Sequence, residues 1–489
     1  MAQQLFFSRD TKVYIKFGTK VWDLPVLDGF SFSQATNSSE ITLAEMEGSG
    51  GSSRRGRKQF NDSLAPAEWS FATYVRPFKA AAGAAAGTAD ALALTHAVEE
   101  VLWGMFLGGK TYADDHQLFQ DATPASIAAS AAVVGTSYVI TGLGTTTQAQ
   151  FNTLAGTSGE TYAAGDAIIA AAAGVGNGTL EQVVNVPTTT QSKFNADFSN
   201  SATLGTADIF FVLGDTNRKV YKLKDCVVNE ASLDFDIDGI ATINWSGMSS
   251  EIIDMTSKTH TGGTNPPAFN AVSGSAGAIV ADDVMLDSSD GHRLSVVIDP
   301  TSSGTATMTG SIYEGTTSTT NFIRNRLTQL TVVPTTQDPD GDSVNELESS
   351  YAITLTGGNI TMTNNVTFIT PEEIGLVNTP IGHVTGTRSI SGSMNCYLSK
   401  DTTATNNSAD LWEDLKSISS VVTNSFALNF KIGGTTAGIP RLEVSMPTCH
   451  LEIPTHSIED VISVETAFNA LPSTIDGTNE ATITYFSKQ

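Results

Sequence analysis

The chain has 489 residues, enough for several domains with buried cores, and its 51 acidic residues outnumber 26 Lys and Arg to give a formal net charge of −25. Because cations carry affinity for phosphates, this charge argues against a nucleic-acid-binding protein. Three cysteines are too few for a disulfide framework. The sequence contains no apolar run of about 18 residues, so no membrane span is expected. The N-terminal residues lack the pattern of a signal peptide.

Abundant Gly, Ser and Thr, with only 16% charged residues, predict a mainly β fold with many loops. In chain order, alternating apolar residues predict strands over residues 11–17, 27–33 and 68–75. Apolar residues at helical spacing then predict a helix over residues 91–106. We expect these elements to belong to a first domain, residues 1–255.

Two segments are expected to interrupt the first domain. Residues 45–66 form a Gly/Ser-rich loop, and residues from about 108 to 190 are rich in Ala, Gly and Thr. The second segment contains one clear strand pattern, over residues 137–141, and is predicted to be a small all-β insert. Insertions of this kind sit at loop tips, where they cost the host fold little.

A Gly/Ser/Thr/Pro linker over residues 256–276 is expected to lead into a second domain, residues 277–489. Within it, residues 277–350 are predicted to form either a first hairpin or a small insert. Strands follow from residue 351, and apolar spacing predicts a short helix over residues 408–418.

The two domains repeat one β-rich pattern. From Cys226 to Trp245 is 19 residues (245 − 226), and from Cys449 to Phe468 is also 19 (468 − 449). Both aromatics end a strand whose alternate positions are apolar or small, so they are predicted to occupy equivalent core positions. Phe32 and Phe368 are predicted to form a second equivalent pair, from the order of the strands around them. Repetition of one β module is typical of structural proteins.

No catalytic constellation is present in the sequence: the seven histidines lack metal-type spacing, and no nucleophile motif occurs. We therefore expect no enzymatic activity and no cofactor. Asp338, Asp340 and Asp342 place carboxylates on alternate positions, with Glu346 nearby, and hard oxygen ligands of this kind suit calcium. An Asp-Gly turn between strands is the commoner interpretation, so the calcium site is a weak candidate.

Four cations cluster on the Gly/Ser-rich loop of this acidic chain: Arg54, Arg55, Arg57 and Lys58. One interpretation is a solvated loop tip. The functional alternative is a docking arm that meets the acidic surface of a neighbouring copy, since charge complementarity steers association and fixes register. Direct contact with DNA is the weaker alternative, because the rest of the molecule repels phosphate.

The opening strands at residues 23–34 and 39–43, the strand at 66–71 and the closing run at 449–470 together resemble the tail tube proteins of long-tailed bacteriophages. Within the insert, residues 137–179 resemble a small decoration module of phage structural proteins. The resemblance implies two tandem β-sandwich or barrel domains, each with one flanking α-helix. It also implies that the loop at 45–66 reaches the next ring of a tube.

Six tube domains usually close a ring in this family, so a chain with two domains implies a homotrimer with pseudo-sixfold symmetry. The resemblance further implies stacked rings forming an acidic conduit for DNA ejection, without specific DNA binding. The implied partners are the chain itself and the tail terminator, baseplate or tip, and tape-measure proteins. The implied location is the virion tail, after assembly in the host cytoplasm. The alternative function is a glycan-binding adhesin or decoration protein on the virion surface, acting through the insert.

Overall fold

The computed structural model describes most of both predicted domains. The described residues are 5–17, 20–42, 57–79, 95–108, 126–134, 137–164, 167–182, 193–196, 202–213, 219–254, 295–296, 306–307, 322–374, 377–400, 406–420, 424–436, 439–458 and 461–486. The predicted linker at 256–276 and the loop tip at 43–56 lie outside these ranges.

Antiparallel strands dominate the structure, as predicted. The elements of the first half are β1 (Thr11–Phe17), β2 (Lys20–Leu24), β3 (Ser31–Ser33), β4 (Thr36–Thr42), β5 (Arg57–Leu64), β6 (Ala67–Tyr74), β7 (Pro77–Lys79), β8 (Thr95–Ala97), α1 (Glu100–Leu107), β9 (Ile127–Ala128), β10 (Ser137–Gly142), α2 (Gln148–Ala155), β11 (Ala167–Ile169), β12 (Thr179–Gln182), β13 (Lys193–Ala196), β14 (Ala207–Leu213), β15 (Lys219–Asp236), β16 (Thr242–Ser249) and β17 (Glu251–Asp254).

The second half continues the numbering. Its elements are β18 (Ser295–Val296), β19 (Ala306–Thr307), β20 (Gln329–Pro334), β21 (Tyr351–Ile353), β22 (Leu355–Thr363), β23 (Val366–Ile369), β24 (Gly382–Thr385), β25 (Ser389–Tyr397), α3 (Ser408–Ser417), β26 (Phe426–Ile432), β27 (Arg441–Leu451), β28 (Thr455–Ile458), β29 (Ile462–Ala470) and β30 (Thr482–Phe486). None of the described helices is long and apolar enough to cross a membrane.

The long strand β15 belongs to two layers of the first half. Its first residues pair with β14 and β17, and its last residues pair with β16 and β22. The change occurs at Asp225, which has a positive φ of 52°, and at a register shift opposite β14. Bends and bulges of this kind let one strand pass between packed sheets.

The strand β27 does the same in the second half. It pairs with β26 and β30, and its last residues pair with β29. The order of pairing therefore runs in parallel through the two halves. Neighbouring strands of the first half lie in the order β1, β14, β15, β16 and β6. Their counterparts in the second half lie in the order β20, β26, β27, β29 and β25.

One sheet is common to both halves, and we call it the shared sheet. Its strands run in the order β3, β6, β16, the last part of β15, β22, β25, β29 and β28. The two halves meet in it through an antiparallel ladder that joins Glu230–Asp236 to Gly357–Thr363. Each half also has a second sheet that packs on one face of the shared sheet and encloses the apolar core.

The predicted core aromatics lie inside this core. Trp245 donates its indole N–H to Thr73 Oγ1 (2.9 Å) and meets the ring of Trp103 edge-on at 4.9 Å. Phe468 packs against Phe430 at 5.7 Å between ring centroids.

The equal spacing after the two cysteines does not correspond to equal pairing. Trp245 pairs with Ala231, five residues after Cys226 (231 − 226), whereas Phe468 pairs with Leu451, two residues after Cys449 (451 − 449). Pro454, which has no backbone N–H, lies in the break between β27 and β28. The difference in pairing already exists before this break: Val227, one residue after Cys226, pairs with Met248, whereas His450, one residue after Cys449, pairs with Asn469.

Phe32 and Phe368 also occupy different environments. Phe32 lies in β3 and packs against Phe211, with ring centroids 4.7 Å apart. Phe368 lies in the β23–β24 hairpin, 5.8 Å from the ring of His383, in a separate small cluster. β3, which contains Phe32, pairs with β6. The corresponding partner of β25 in the second half is β22, which ends before Phe368.

The helices differ in part from the predicted ones. α3 and the 3-10 turn after it cover the predicted range of 408–418. α1 is shorter than the predicted 91–106, because Thr95–Ala97 pairs instead with Pro77–Lys79 as a strand. The insert has its own four-stranded sheet and its own core, and it also contains the unpredicted helix α2, which begins with a capping box at Thr147 and Gln150.

A buried polar cluster connects α1 to the last strand. Tyr485 donates its hydroxyl to Glu99 Oε1 (2.7 Å), and Trp103 donates its indole N–H to Tyr485 Oη (2.8 Å). Glu99 is fully buried, and this burial raises its pKa to about 7, against the weaker lowering effects of the Tyr485 hydrogen bond and the charge of Arg76.

The stability of the fold is expected to depend on pH through Glu99. Between about pH 4.5 and pH 7 the unfolded chain releases the Glu99 proton while the folded chain keeps it, so the free energy of unfolding falls as the pH rises. The full cost above this window is about 3 kcal/mol. Glu99→Gln should remove this part of the slope, as measured by urea unfolding at several pH values.

The matched control is Glu68→Gln, which changes an exposed carboxyl on a strand of the same half. An unchanged slope in Glu99→Gln, or an equal change in Glu68→Gln, would contradict the assignment.

Candidate functional site

One face of the shared sheet is turned away from the core and is polar along its whole width. Alternate residues of each strand point to this face, as the period of two requires. Its side chains are Ser31, Ser33, Glu68, Ser70, Ala72, Tyr74, Glu230, Ser232, Asp234, Asp236, Thr242, Asn244, Ser246, Met248, Gly357, Asn359, Thr361, Thr363, Ser389, Ser391, Ser393, Asn395, Tyr397, Thr455, Ser457, Ser463, Glu465, Ala467 and Asn469.

The composition of this face is its main chemical property. Hydroxyls and amides predominate, carboxylates are scattered among them, and no lysine or arginine occurs among these residues. A surface without lysine or arginine offers a polyanion no cation that would neutralise its phosphates. Its hydroxyls and amides are groups that water hydrates well.

Hydrogen bonds between neighbouring strands hold the polar side chains in place. Ser31 and Ser70 share a hydroxyl–hydroxyl bond of 2.8 Å, and Ser232 and Thr361 share one of 3.2 Å across the ladder between the halves. Asn244 donates its amide to Asp234 Oδ2 (3.0 Å). Cross-strand pairs of this type stabilise a sheet on a face that contributes nothing to the core.

Two of the four predicted docking cations lie within the described residues. Arg57 and Lys58 occupy the start of β5, which pairs with β4 in an exposed hairpin. The Arg57 guanidinium is 3.7 Å from Glu40 Oε2, and Lys58 Nζ lies 5.0 Å from the ring centre of Phe60. Such exposed contacts contribute little to stability, so the cations remain available to another chain. Arg54 and Arg55 lie outside the described residues.

A second hairpin, β23–β24, stands beside the first. Its loop contacts β5 through Asn378, which accepts from the Leu64 N–H (2.8 Å) and donates its own N–H to the Asp62 carbonyl (3.3 Å). The exposed residues of this hairpin include Ile374 and Ile381, with Glu372 and Glu373 in the same loop. The two hairpins are therefore chemically unlike: the first carries Arg57 and Lys58 together with Glu40 and Asp62, whereas the second carries two glutamates and exposed isoleucines. The sequence analysis did not identify the second one.

The acidic loop between β20 and β21 gathers the predicted calcium candidates. Oxygen atoms of Asp338, Asp340, Asp342 and Glu346 all lie within 4.8 Å of one another. Partial burial and the three neighbouring carboxylates raise the pKa of Glu346. Asp338 accepts hydrogen bonds from the N–H groups of Gly341 (2.7 Å) and Ser343 (2.8 Å), as in the turn that was the alternative interpretation.

The polar face was not predicted, although each strand shows the alternation that produces it. The signal is present only after the strands are ordered side by side, because the absence of cations becomes visible when residues from distant segments share one face. Trp245 and Phe468 lie on the opposite face of the shared sheet, where they fill the core.

Comparison with known proteins gives one relative that matches almost the whole chain. No family model matches the sequence. The chain is similar to tail tube protein pb6 of Escherichia phage T5, with 24% identity over 488 residues, covering 98% of this chain and 75% of that protein. The resemblance to tail tube proteins of long-tailed bacteriophages, expected from the sequence, is confirmed by this match.

Proposed function

We propose that the chain is a structural protein of a phage tail tube, in which rings of three chains stack around an acidic lumen. The similarity to tail tube protein pb6 supports the structural role and a place in the virion tail. The observation that carries the proposal is the polar, cation-free face of the shared sheet, which would line the lumen. This role needs no cofactor and no catalytic residue.

The proposed ring of three chains is supported by the similarity between the two halves of the chain. The parallel order of pairing in the two halves supports two tube domains within residues 1–255 and 277–489. Three chains then supply the six domains of a ring with pseudo-sixfold symmetry. Joining the ends of the shared sheet around the ring would also remove its exposed edges, which otherwise promote aggregation.

Passage of DNA during ejection follows from the lining. Double-stranded DNA slides along a channel if the wall offers hydration without cations, since each cation contact has to be broken as the DNA advances. In this role the chain binds other copies of itself. The further partners of the assembled tube are the tail terminator, baseplate or tip, and tape-measure proteins. The four docking cations would contact the next ring.

Loss of the docking cations is expected to block stacking without affecting the ring. We expect the variant with Ser in place of Arg54, Arg55, Arg57 and Lys58 to form rings but no long tubes, because charge pairing between rings is removed. Negative-stain electron microscopy of the purified protein measures ring and tube length directly.

The matched control replaces four other exposed cations by Ser and so changes the net charge equally. Its positions are Arg324, Arg326, Lys400 and Lys416. Tubes of normal length from the first variant, or an equal loss in the control, would refute the docking role.

New cations on the polar face are expected to slow DNA ejection. Ser70→Lys, Ser246→Lys and Ser391→Lys together place three ammonium groups where DNA would pass. Phage assembled with this variant should eject DNA more slowly at low salt and recover as salt rises, since phosphate contacts weaken with salt. Fluorescence of a DNA dye during triggered ejection measures the rate.

Gln at the same three positions is the matched control, because it adds comparable bulk without charge. The proposed lining would be wrong if the Lys variant ejected at the normal rate, or if the Gln variant were slowed as much.

A further inference from the structure

The two ends of the shared sheet have backbone edges that no described residue covers. At one end β3 pairs with β6 alone, and at the other end β28 pairs with β29 alone. Thr455–Ile458 are all exposed, as are Ser31 and Ser33. Open edges present unpaired backbone N–H and C=O groups, which can pair with a strand of another chain.

The centre of the sheet provides a template for that partner. There the last part of β15 pairs with β22, at the join between the two halves. In the second half β28 is the neighbour of β29, just as the last part of β15 is the neighbour of β16 in the first half. In the same way, β3 is the neighbour of β6 in the first half, just as β22 is the neighbour of β25 in the second. The open edges are thus the counterparts of two strands that already pair with each other inside the chain.

We infer that β28 of one chain pairs antiparallel with β3 of the next copy, in the manner of β15 and β22. This pairing rests on the proposed ring and names the strands that close it. The contact is head-to-tail, so it uses a different edge on each chain and generates a closed ring or an open filament according to the rotation it imposes.

The register follows from the counterparts of the Ser232–Thr361 pair. Thr455 lies six residues after Cys449, as Ser232 lies six after Cys226. With Thr455 taken as the counterpart of Ser232, Ser33 stands opposite it if β3 is placed through the pairing next to the cysteines, and Ser31 stands opposite it if β3 is placed through Trp245 and Phe468. Both serines lie on the polar face, so either register sets hydroxyl against hydroxyl, as at the centre of the sheet.

Disulfide cross-linking between chains tests this pairing. Thr455→Cys is combined with Ser31→Cys in one variant and with Ser33→Cys in another, because directly opposed residues bring their Cβ atoms within reach of a disulfide. The three native cysteines are buried and should not compete. After oxidation we expect the monomer band to shift into dimer and trimer bands on a non-reducing gel for at least one pair.

Controls separate this contact from chance collisions. His456→Cys with Ser31→Cys should not cross-link, because neighbouring residues of a strand point to opposite faces. Each single variant alone should stay monomeric on the gel, whereas a mixture of Thr455→Cys and Ser31→Cys or Ser33→Cys chains should give dimers. Ser232→Cys with Thr361→Cys should form a link within one chain and verifies the oxidation.

Electron microscopy of the same samples distinguishes failure of the pairing from failure of the tube. Rings without cross-links from either pair would overturn the edge assignment and leave the proposed function standing. If the samples showed no rings and no cross-links, both the edge assignment and the proposed function would be overturned. Cross-linking of the His456→Cys control to the same extent as the test pairs would also overturn the assignment.

Discussion

The backbone ladder between Glu230–Asp236 and Gly357–Thr363 is the contact on which the architecture depends. It joins two halves that are far apart in sequence into a single sheet, so neither half can rotate against the other without breaking a row of hydrogen bonds. Because β15 continues from this ladder into the other layer of its own half, the same strand fixes the orientation of the core. The same strand therefore connects the join between the halves to the core of the first half.

The acidic charge of the chain has a specific distribution. An excess of carboxylates could be spread over any soluble protein, but here a broad sheet face contains carboxylates and no lysine or arginine. The described cations of the predicted docking group lie instead on an exposed hairpin, β4–β5. The fold therefore places the cation-free sheet face and the described cations of this group on different elements.

Much of the local structure was predictable from the sequence, because period-two alternation identifies strands such as β6 and β29 and helical spacing identifies α3. The helix expected over residues 91–106 was too long because strand pairing with Pro77–Lys79 overrides helical propensity. Phe32 and Phe368 were matched by strand order alone, which cannot reveal that β22 takes the place expected for the strand of Phe368. The polar face was invisible for a related reason: it is assembled from eight segments whose neighbours are set by long-range pairing.

The two unlike hairpins have a consequence for the geometry of the assembled tail. A ring of six identical subunits can be rotated by one sixth of a turn and still offer the next ring the same contacts. In the proposed ring of three chains, the β4–β5 and β23–β24 hairpins would alternate around the rim, so only one third of a turn would restore the pattern. Of six settings one sixth of a turn apart, three would set unlike hairpins against the wrong sites, so a ring added to the stack would have three equivalent orientations where a sixfold ring has six.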